Sequence, residues 1–353
     1  MSAPELRNAE KILLCGDATG DNTPLLDEAK AHEIEVIQVP GFSRSIHPRD
    51  LALFFSFLRI LRRVRPDTLH THSAKPFVLA GLAGFVCRVP HRFYSIHGLS
   101  FTPGESQYTH KAAALVERSA ARLYSELISV NSLYAREFKR MNLKGLVRVI
   151  PNGVRPPRTI FRQRSRPGSP FTVLFAGRLE YKKDPEFMLA VASELIQKRG
   201  ERHLRFHYVG DGPLRDAVAA GIKQRGLSDC VSLHGWLDDV EPWYAAADVI
   251  FVPSRSEACG LVMLEAGHQG CPAVGARVEG IPEVIESGVN GKLFEPGDVA
   301  GASDLIASLA RTPSVYPRLS AGAELVARER SEETMVSQYL NLYAEHIARA
   351  SDD

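Results

Sequence analysis

Short apolar runs alternate along the whole chain with segments whose apolar side chains recur every three to four positions. That alternation is the pattern of parallel α/β layers. In the first half, strands are predicted at Lys11–Gly16, Glu33–Pro40, Asp67–Ser73, Arg92–His97, Leu127–Asn131 and Val147–Ile150. A second series is predicted at Phe171–Gly177, Arg205–Gly210, Val231–Gly235, Val249–Pro253, Pro272–Ala276 and Lys292–Glu295. Between them, Pro151 to Pro170 carries five Arg, five Pro and no acid, and no regular element suits it. The predicted organisation is a domain over 1–152, a linker over 153–170 and a second domain over 171–334. Helical spacing marks Leu51–Arg65, Asp184–Arg199 and Glu333–Ala350. In the second of these, Asp184 is expected to cap and Pro185 to take the first helical position.

The length of 353 residues is enough for two domains of ordinary size. A hydrophobic content of 44% with 24% charged residues describes a globular protein. Net charge is +2 but unevenly placed: residues 1–150 hold 20 Lys+Arg against 14 Asp+Glu, and the remainder 23 against 27. The basic first half suits an anionic partner, and a phospholipid surface fits as well as nucleic acid does. Cys15, Cys87, Cys230, Cys259 and Cys271 are odd in number and form no CxxC pair, as expected of reduced thiols in a cytosol. The N-terminal segment has acidic residues and no apolar core, so no signal peptide is expected. The longest charge-free apolar stretch, Pro76–Cys87, falls short of the ~20 residues that cross a bilayer. A cytoplasmic protein that can touch a membrane is expected.

Two segments directly follow predicted strands: Gly177-Arg178-Leu-Glu-Tyr-Lys-Lys183, and Ser254-Arg-Ser-Glu257-Ala258-Cys259-Gly260-Leu261-Val-Met-Leu-Glu265. An open parallel sheet puts its ligands at the carboxyl ends of its strands, so both segments point into one crevice. Cations there suit phosphates and carboxylates suit hydroxyls, the combination needed for a sugar esterified to a diphosphate. As such a sugar leaves, charge builds on the bridging oxygen, and Arg178 and Lys183 would lower that barrier. Taken alone, the pair is equally well explained as surface charge near a helix start. Glu257 ends its loop, and Gly260 lets the backbone approach a ligand. The amides of Ala258–Leu261 then form an anion-binding helix N-terminus. Glu265, about a turn in, either hydrogen-bonds a bound hydroxyl or is a buried liability.

Other features carry weaker signals. Gly210-Asp-Gly212-Pro follows a strand and suits contact with a phosphate or base, or is a plain turn. Gly16-Asp-Ala-Thr-Gly20 is the matching glycine turn of the first half. His97 ends a strand, where a structural role competes with a hydrogen bond to the sugar. His70 and His72 share one face of a strand, but no third ligand stands at a spacing that would signal a metal. The helix Leu51–Arg65 places Arg59, Arg62, Arg63 and Arg65 at its end. Those cations either favour the helix dipole or face anionic lipid.

Together these residues are similar to glycosyltransferase family 4, with the GT-B fold. The resemblance rests on Gly177-Arg178-Leu to Lys183, Gly210-Asp-Gly-Pro, Glu257 with Glu265, Gly280-Ile-Pro-Glu-Val-Ile-Glu-Ser-Gly-Val-Asn-Gly291, and Ile150-Pro-Asn-Gly-Val. In the first half, Pro66-Asp-Thr-Leu-His-Thr-His-Ser-Ala-Lys75 and Tyr94-Ser-Ile-His-Gly-Leu-Ser-Phe resemble bacterial members that extend lipid-linked saccharides. The resemblance implies two Rossmann-like parallel-sheet domains facing a central cleft, with helix 335–353 crossing back onto the first. It implies that Arg178 and Lys183 hold the donor diphosphate, Glu265 the ribose, and Glu257 with the following amides the transferred sugar, opposite His97. Gly16, Gly177, Gly210, Gly212, Trp236, Ala258, Cys259, Gly260 and Leu261 join the expected donor site, with base choice placed near His234–Trp236. Lys75 joins the four arginines as a candidate for acceptor or membrane contact. Three departures stand out: Ala258-Cys259 where the family has Gly-Phe, Glu279-Gly280 where many members have a glycine pair, and a first loop, Gly16-Asp17-Ala18, without the common Gly-Gly.

The expected activity is retaining, metal-independent transfer of a hexose or N-acetylhexosamine from a nucleotide sugar, a UDP-sugar before a GDP-sugar, with no cofactor. The expected acceptor is a saccharide, including one linked to polyprenyl diphosphate at the inner face of the cytoplasmic membrane; nucleic acid is not an expected partner. The alternatives are a GT-B nucleotide-sugar epimerase and a non-catalytic nucleotide-sugar-binding subunit.

Overall fold

The structure is a computed structural model and describes residues 9–16, 23–41, 50–98, 115–140, 147–161 and 169–352. It divides into two compact units, Met1–Ile150 with Val336–Asp353, and Pro151–Met335. In the first, the order is β1 (Ile12–Cys15), α1 (Thr23–Ala31), β2 (Glu35–Gln38), α2 (Asp50–Val64), β3 (Thr68–His72), α3 (Ala74–Val86), β4 (His91–Ile96), β5 (Glu126–Ser129), α4 (Ser132–Arg140) and β6 (Val147–Val149). A further helical stretch over 115–121 precedes β5. β1 pairs with β2, and β3-β4-β5-β6 form a four-stranded sheet, all parallel.

The second unit runs β7 (Phe171–Ala176), α5 (Pro185–Ser193), β8 (Leu204–Val209), α6 (Arg215–Gln224), β9 (Val231–Leu233), α7 (Glu241–Ala246), β10 (Val249–Val252), α8 (Leu261–His268), β11 (Ala273–Ala276), α9 (Ile281–Val284), β12 (Gly291–Phe294), α10 (Val299–Arg311) and α11 (Tyr316–Glu329). The last helix, α12 (Glu332–Asp352), closes the chain. Its parallel sheet has the order β12-β11-β10-β7-β8-β9. Among the described residues, each of the twelve strands overlaps one predicted from the apolar runs, with ends displaced by no more than two residues.

Both faces of the six-stranded sheet are covered. Val173, Phe175, Phe206, Tyr208, Val249 and Phe251 pack with Met188 and Leu189 of α5 and Ile306 of α10. The alternate positions Leu174, Ile250 and Val252 pack with Met263 and Leu264 of α8. A strand buried on both sides has no polar face, so these segments read as continuous apolar runs.

Two expectations need correction. Asp184 does not cap α5: it sits in the left-handed region (φ 48°) and makes no capping hydrogen bond. Its buried carboxylate instead binds the Arg255 guanidinium at 2.7 Å. The helix expected to run to Arg199 is α-helical only to Ser193 and continues as a π-turn over Glu194–Lys198. The segment after Ile150 does lack regular structure over its described residues, apart from a bridge between Val154 and Ser331. A side chain at Gly153 would overlap the Ser331 carbonyl, so this crossing needs glycine.

In the first unit, α12 lies on the sheet through specific polar contacts. Glu126, at the start of β5, accepts from Arg148 Nε at 2.7 Å and pairs with His346 Nε2 at 2.8 Å. Arg148 also holds both carboxylate oxygens of Glu345, at 3.1 and 2.7 Å. These bonds to Glu345 and Glu126 raise the Arg148 pKa. Because Glu126 is buried, Glu126→Gln is expected to cost roughly 1–3 kcal/mol. Thermal denaturation would show this as an earlier first transition, and an unchanged transition would remove the anchoring role of the network.

Candidate functional site

The strand order of the second unit reverses between β7 and β10, which pair directly although β8 and β9 separate them in sequence. That reversal opens a crevice at the carboxyl ends of the two strands. The loop after β7 carries Arg178 and ends in a 3₁₀ turn over Tyr181–Lys183; the loop after β10 carries Glu257 and leads into α8.

The Lys183 ammonium donates to Glu257 Oε2, a pair with 28% and 11% of the side chains exposed. Glu257 also accepts from the Ser254 hydroxyl at 3.3 Å and, through Oε1, from the Gly260 amide at 3.2 Å. One carboxylate thus orients the lysine and satisfies an amide at the start of α8, where negative charge is favoured. Gly260 takes a left-handed conformation (φ 66°), as the sharp entry into the helix demands. The backbone joins the two loops as well, since the Arg255 amide donates to the Lys182 carbonyl at 2.8 Å. The Arg255 guanidinium lies 4.8 Å from the Tyr181 ring centre, while also binding Asp184.

Glu279 closes this loop from a third direction. Its carboxylate accepts from the Glu257 amide at 2.7 Å and the Ser256 hydroxyl at 2.9 Å. It does so from a left-handed backbone (φ 39°), a geometry non-glycine residues adopt at a cost. A side chain at Gly280 would overlap the Ala258 carbonyl, and its amide donates to the Glu257 carbonyl at 3.0 Å. The departure Glu279-Gly280 is therefore a clamp on the Glu257 loop.

The loops after β7, β8 and β9 are laced together. Gly177 donates to Val209 at 3.0 Å, Leu179 to Asp211 at 2.9 Å and Gly210 to Gly235 at 2.7 Å. A side chain at Gly210 (φ 134°) would overlap the Gly177 carbonyl, and one at Gly212 (φ 155°) the Leu179 backbone. Arg178 keeps 60% of its side chain exposed, with Glu180 at 3.7 Å. Trp236 is 73% exposed, and its indole donates to Asp238 at 3.3 Å. On α8, Glu265 accepts from the Tyr244 hydroxyl at 2.7 Å, so it is no unpaired liability. Burial and the Glu265 charge raise the Tyr244 pKa, which keeps that hydroxyl a donor.

Lys183, Glu257, Ala258 and Gly260 are thus brought together, and Arg178, Gly177, Gly210 and Gly212 line the adjoining loops; Leu261 begins α8 and Glu265 lies further along it. Trp236 stands one loop away. Sequence reasoning missed Asp184 as an ion-pair partner, Arg255, Tyr244 and the role of Glu279. None belongs to a local pattern; Glu279 alone left a trace, as a residue where glycine is usual.

In the first unit, His97 follows β4 and its Nε2 lies 2.9 Å from Nδ1 of His72. Gly16 directly follows β1, and the rest of its glycine turn lies outside the described residues. Among the described residues, no group of three or more His, Cys, Asp or Glu is arranged to hold a metal ion. Lys75 is an internal group rather than an open surface cation, bound to Asp50 at 2.8 Å with little of either side chain exposed. Arg59, Arg62, Arg63 and Arg65 are exposed, Arg63 lying 3.6 Å from Glu35. Among the described residues, no helix is long and apolar enough to cross a membrane.

Cys259 is buried, and that burial pushes its thiol up to about 11. At pH 8 the thiolate is then on the order of 0.1% of the population. Iodoacetamide at pH 8 should leave Cys259 unlabelled in the folded protein and label it after denaturation, read by peptide mass spectrometry. Rapid labelling of the native protein would show that this loop opens.

Comparison with known proteins agrees with this fold. A family model described as Glycosyltransferase Family 4 matches residues 11–158, and one described as Glycosyl transferases group 1 matches residues 170–312. The chain is 26% identical over 306 residues to the UDP-Gal:alpha-D-GlcNAc-diphosphoundecaprenol alpha-1,3-galactosyltransferase of Escherichia coli, covering 81% of this chain and 76% of that protein. It is 28% identical over 391 residues to the D-inositol 3-phosphate glycosyltransferase of Xylanimonas cellulosilytica, covering 97% and 89% respectively. The crystal structure of Anabaena HepE in complex with UDP shares the fold, with a TM-score of 0.77, 21% identity and coverage of 95% of this chain and 100% of that one. The two domain matches, the parallel sheets and the paired site loops make this chain a member of the family 4 and group 1 glycosyltransferases, built on the GT-B fold.

Proposed function

We propose that the protein transfers a hexose or N-acetylhexosamine from a UDP-sugar to a saccharide acceptor, with retention at the anomeric carbon and without a metal ion. The observation that carries this reading is the Lys183–Glu257 pair at the β7/β10 reversal, beside the amides that open α8. Arg178 and Lys183 would neutralise the diphosphate as its bond to the sugar breaks, where a fixed cation acts without reorganising. Glu257 would hold Lys183 in place and meet a sugar hydroxyl, and Glu265 the ribose. His97 is proposed to meet the transferred sugar. The UDP bound to Anabaena HepE and the UDP-Gal used by the Escherichia coli relative support a uridine donor. That relative's diphosphoundecaprenol substrate favours a polyprenyl-diphosphate-linked acceptor here.

A lipid-linked acceptor calls for a surface that meets a membrane. On α2, Leu51, Phe55, Arg59 and Arg62 are all exposed and follow one another at helical spacing on one face. Apolar side chains backed by arginines suit the inner, anionic face of the cytoplasmic membrane.

The reading is tested by UDP release from a panel of UDP-sugars with saccharide acceptors. Arg178→Ala should lower kcat/KM by about 100-fold or more, the scale of losing one charge-stabilising group. EDTA should leave turnover unchanged. Release that ignores Arg178→Ala removes its assigned role, and turnover abolished by EDTA ends the metal-independent reading. For the membrane, vesicles of anionic phospholipid should sediment the wild type and lose the variant with Arg59, Arg62, Arg63 and Arg65 changed to Gln. Equal sedimentation would exclude α2 as the contact.

A further inference from the structure

Three histidines of the first unit form a ladder that ends at His97. The lowest rung is fixed on both ring nitrogens: His70 Nδ1 lies 2.5 Å from the Tyr343 hydroxyl, and Nε2 lies 2.8 Å from the Ser95 hydroxyl. Ser95 is in turn 2.9 Å from the Tyr339 hydroxyl. Both tyrosines belong to α12, so this helix holds the His70 ring. His72, two residues along β3 on the same face, stacks on His70 with ring centres 4.5 Å apart and planes 23° from parallel. His97 continues the series, 5.2 Å from His72 at 24°, with its Nε2 bonded to His72 Nδ1.

The hydrogen bond between the last two rings has a consequence for His97. Only one hydrogen fits between two ring nitrogens at this distance, so one ring donates and the other accepts. The two rings therefore take complementary tautomers, His97 Nδ1 being bare when its Nε2 donates and protonated when its Nε2 accepts. All three rings favour the neutral form. Mutual packing desolvates them although His72 and His97 keep an accessible edge, and the neighbouring rings add repulsion at His70 and His72. A free strand-end histidine would sample both tautomers and several orientations.

We propose that His72 is a positioning residue that holds His97 in one tautomer and one orientation, braced from below by the His70 ring that α12 fixes. This rests on the reading above that His97 meets the transferred sugar. It deepens that reading by naming what makes the imidazole a directed hydrogen-bonding group.

The test uses the full chain labelled with ¹⁵N-histidine, with the His97 signals assigned by their loss in His97→Gln. Wild type should show one nitrogen of His97 protonated and one bare. His72→Phe keeps a flat ring for stacking but has no nitrogen, and His97 should then show averaged nitrogen shifts. His72→Gln, whose amide can donate and accept, should restore much of the wild-type pattern. With UDP-glucose hydrolysis as the probe, His72→Phe should lower kcat about tenfold with KM changed less than about threefold, the mark of lost orientation rather than lost binding. Averaged His97 tautomers in the wild type, or unchanged His97 shifts in His72→Phe, would overturn the proposal. If the wild type does not hydrolyse UDP-glucose, glucose is not the sugar turned over, and the nitrogen shifts alone decide the role of His72.

Discussion

The direct pairing of β10 with β7 is the constraint on which the candidate site depends. Lys183 and Glu257 are 74 residues apart in sequence, and only this adjacency places the loops that carry them side by side. Two short strands make that junction, through the register Val249 to Val173 and Ile250 to Leu174. All four side chains are fully buried. The core packing that orders the sheet therefore also orders the site, and a defect in those strands would reach the chemistry through the loop positions.

Within the site, the protein satisfies its own charges. Glu257 bonds a lysine, a hydroxyl and an amide; Glu279 bonds an amide and a hydroxyl; Asp184 bonds Arg255. A partly buried carboxylate without such partners would be costly. These contacts tie three loops together and leave their charged groups paired. Glu279 shows the balance of effects: a left-handed backbone costs of order 1–3 kcal/mol. Two hydrogen bonds to an ionised acceptor, about 1.5–3 kcal/mol each, offset it.

The first unit applies the same logic with aromatic rings. Phe93 on β4 lies 5.2 Å from the Tyr343 ring and 5.0 Å from His346, so α12 seats on the sheet by ring contacts as well as by the Glu126 network. A helix held this way fixes His70, and through it the end of β4, where the backbone leaves the sheet and precision is hardest to maintain.

The sequence by itself determined the strands of the described residues, the alternation of helices with them and the segments carrying glycines and charges at strand ends. Those signals are local: an apolar run, a helical spacing, a glycine where the backbone turns sharply. It also marked Arg178, Lys183, Glu257 and Glu265 through their spacing and their resemblance to a family. What it did not reveal was partnership. Asp184 looked like a helix cap because an acid before a proline usually is one, yet a guanidinium 71 positions later competes for it and wins. Glu279 stood out only as a departure from a glycine pair, Tyr244 drew no reading, and His72 was one of two histidines on a strand face without a third metal ligand. Each role comes from a contact between residues distant along the chain, and only the order of strands in the folded sheets decides which distant residues meet.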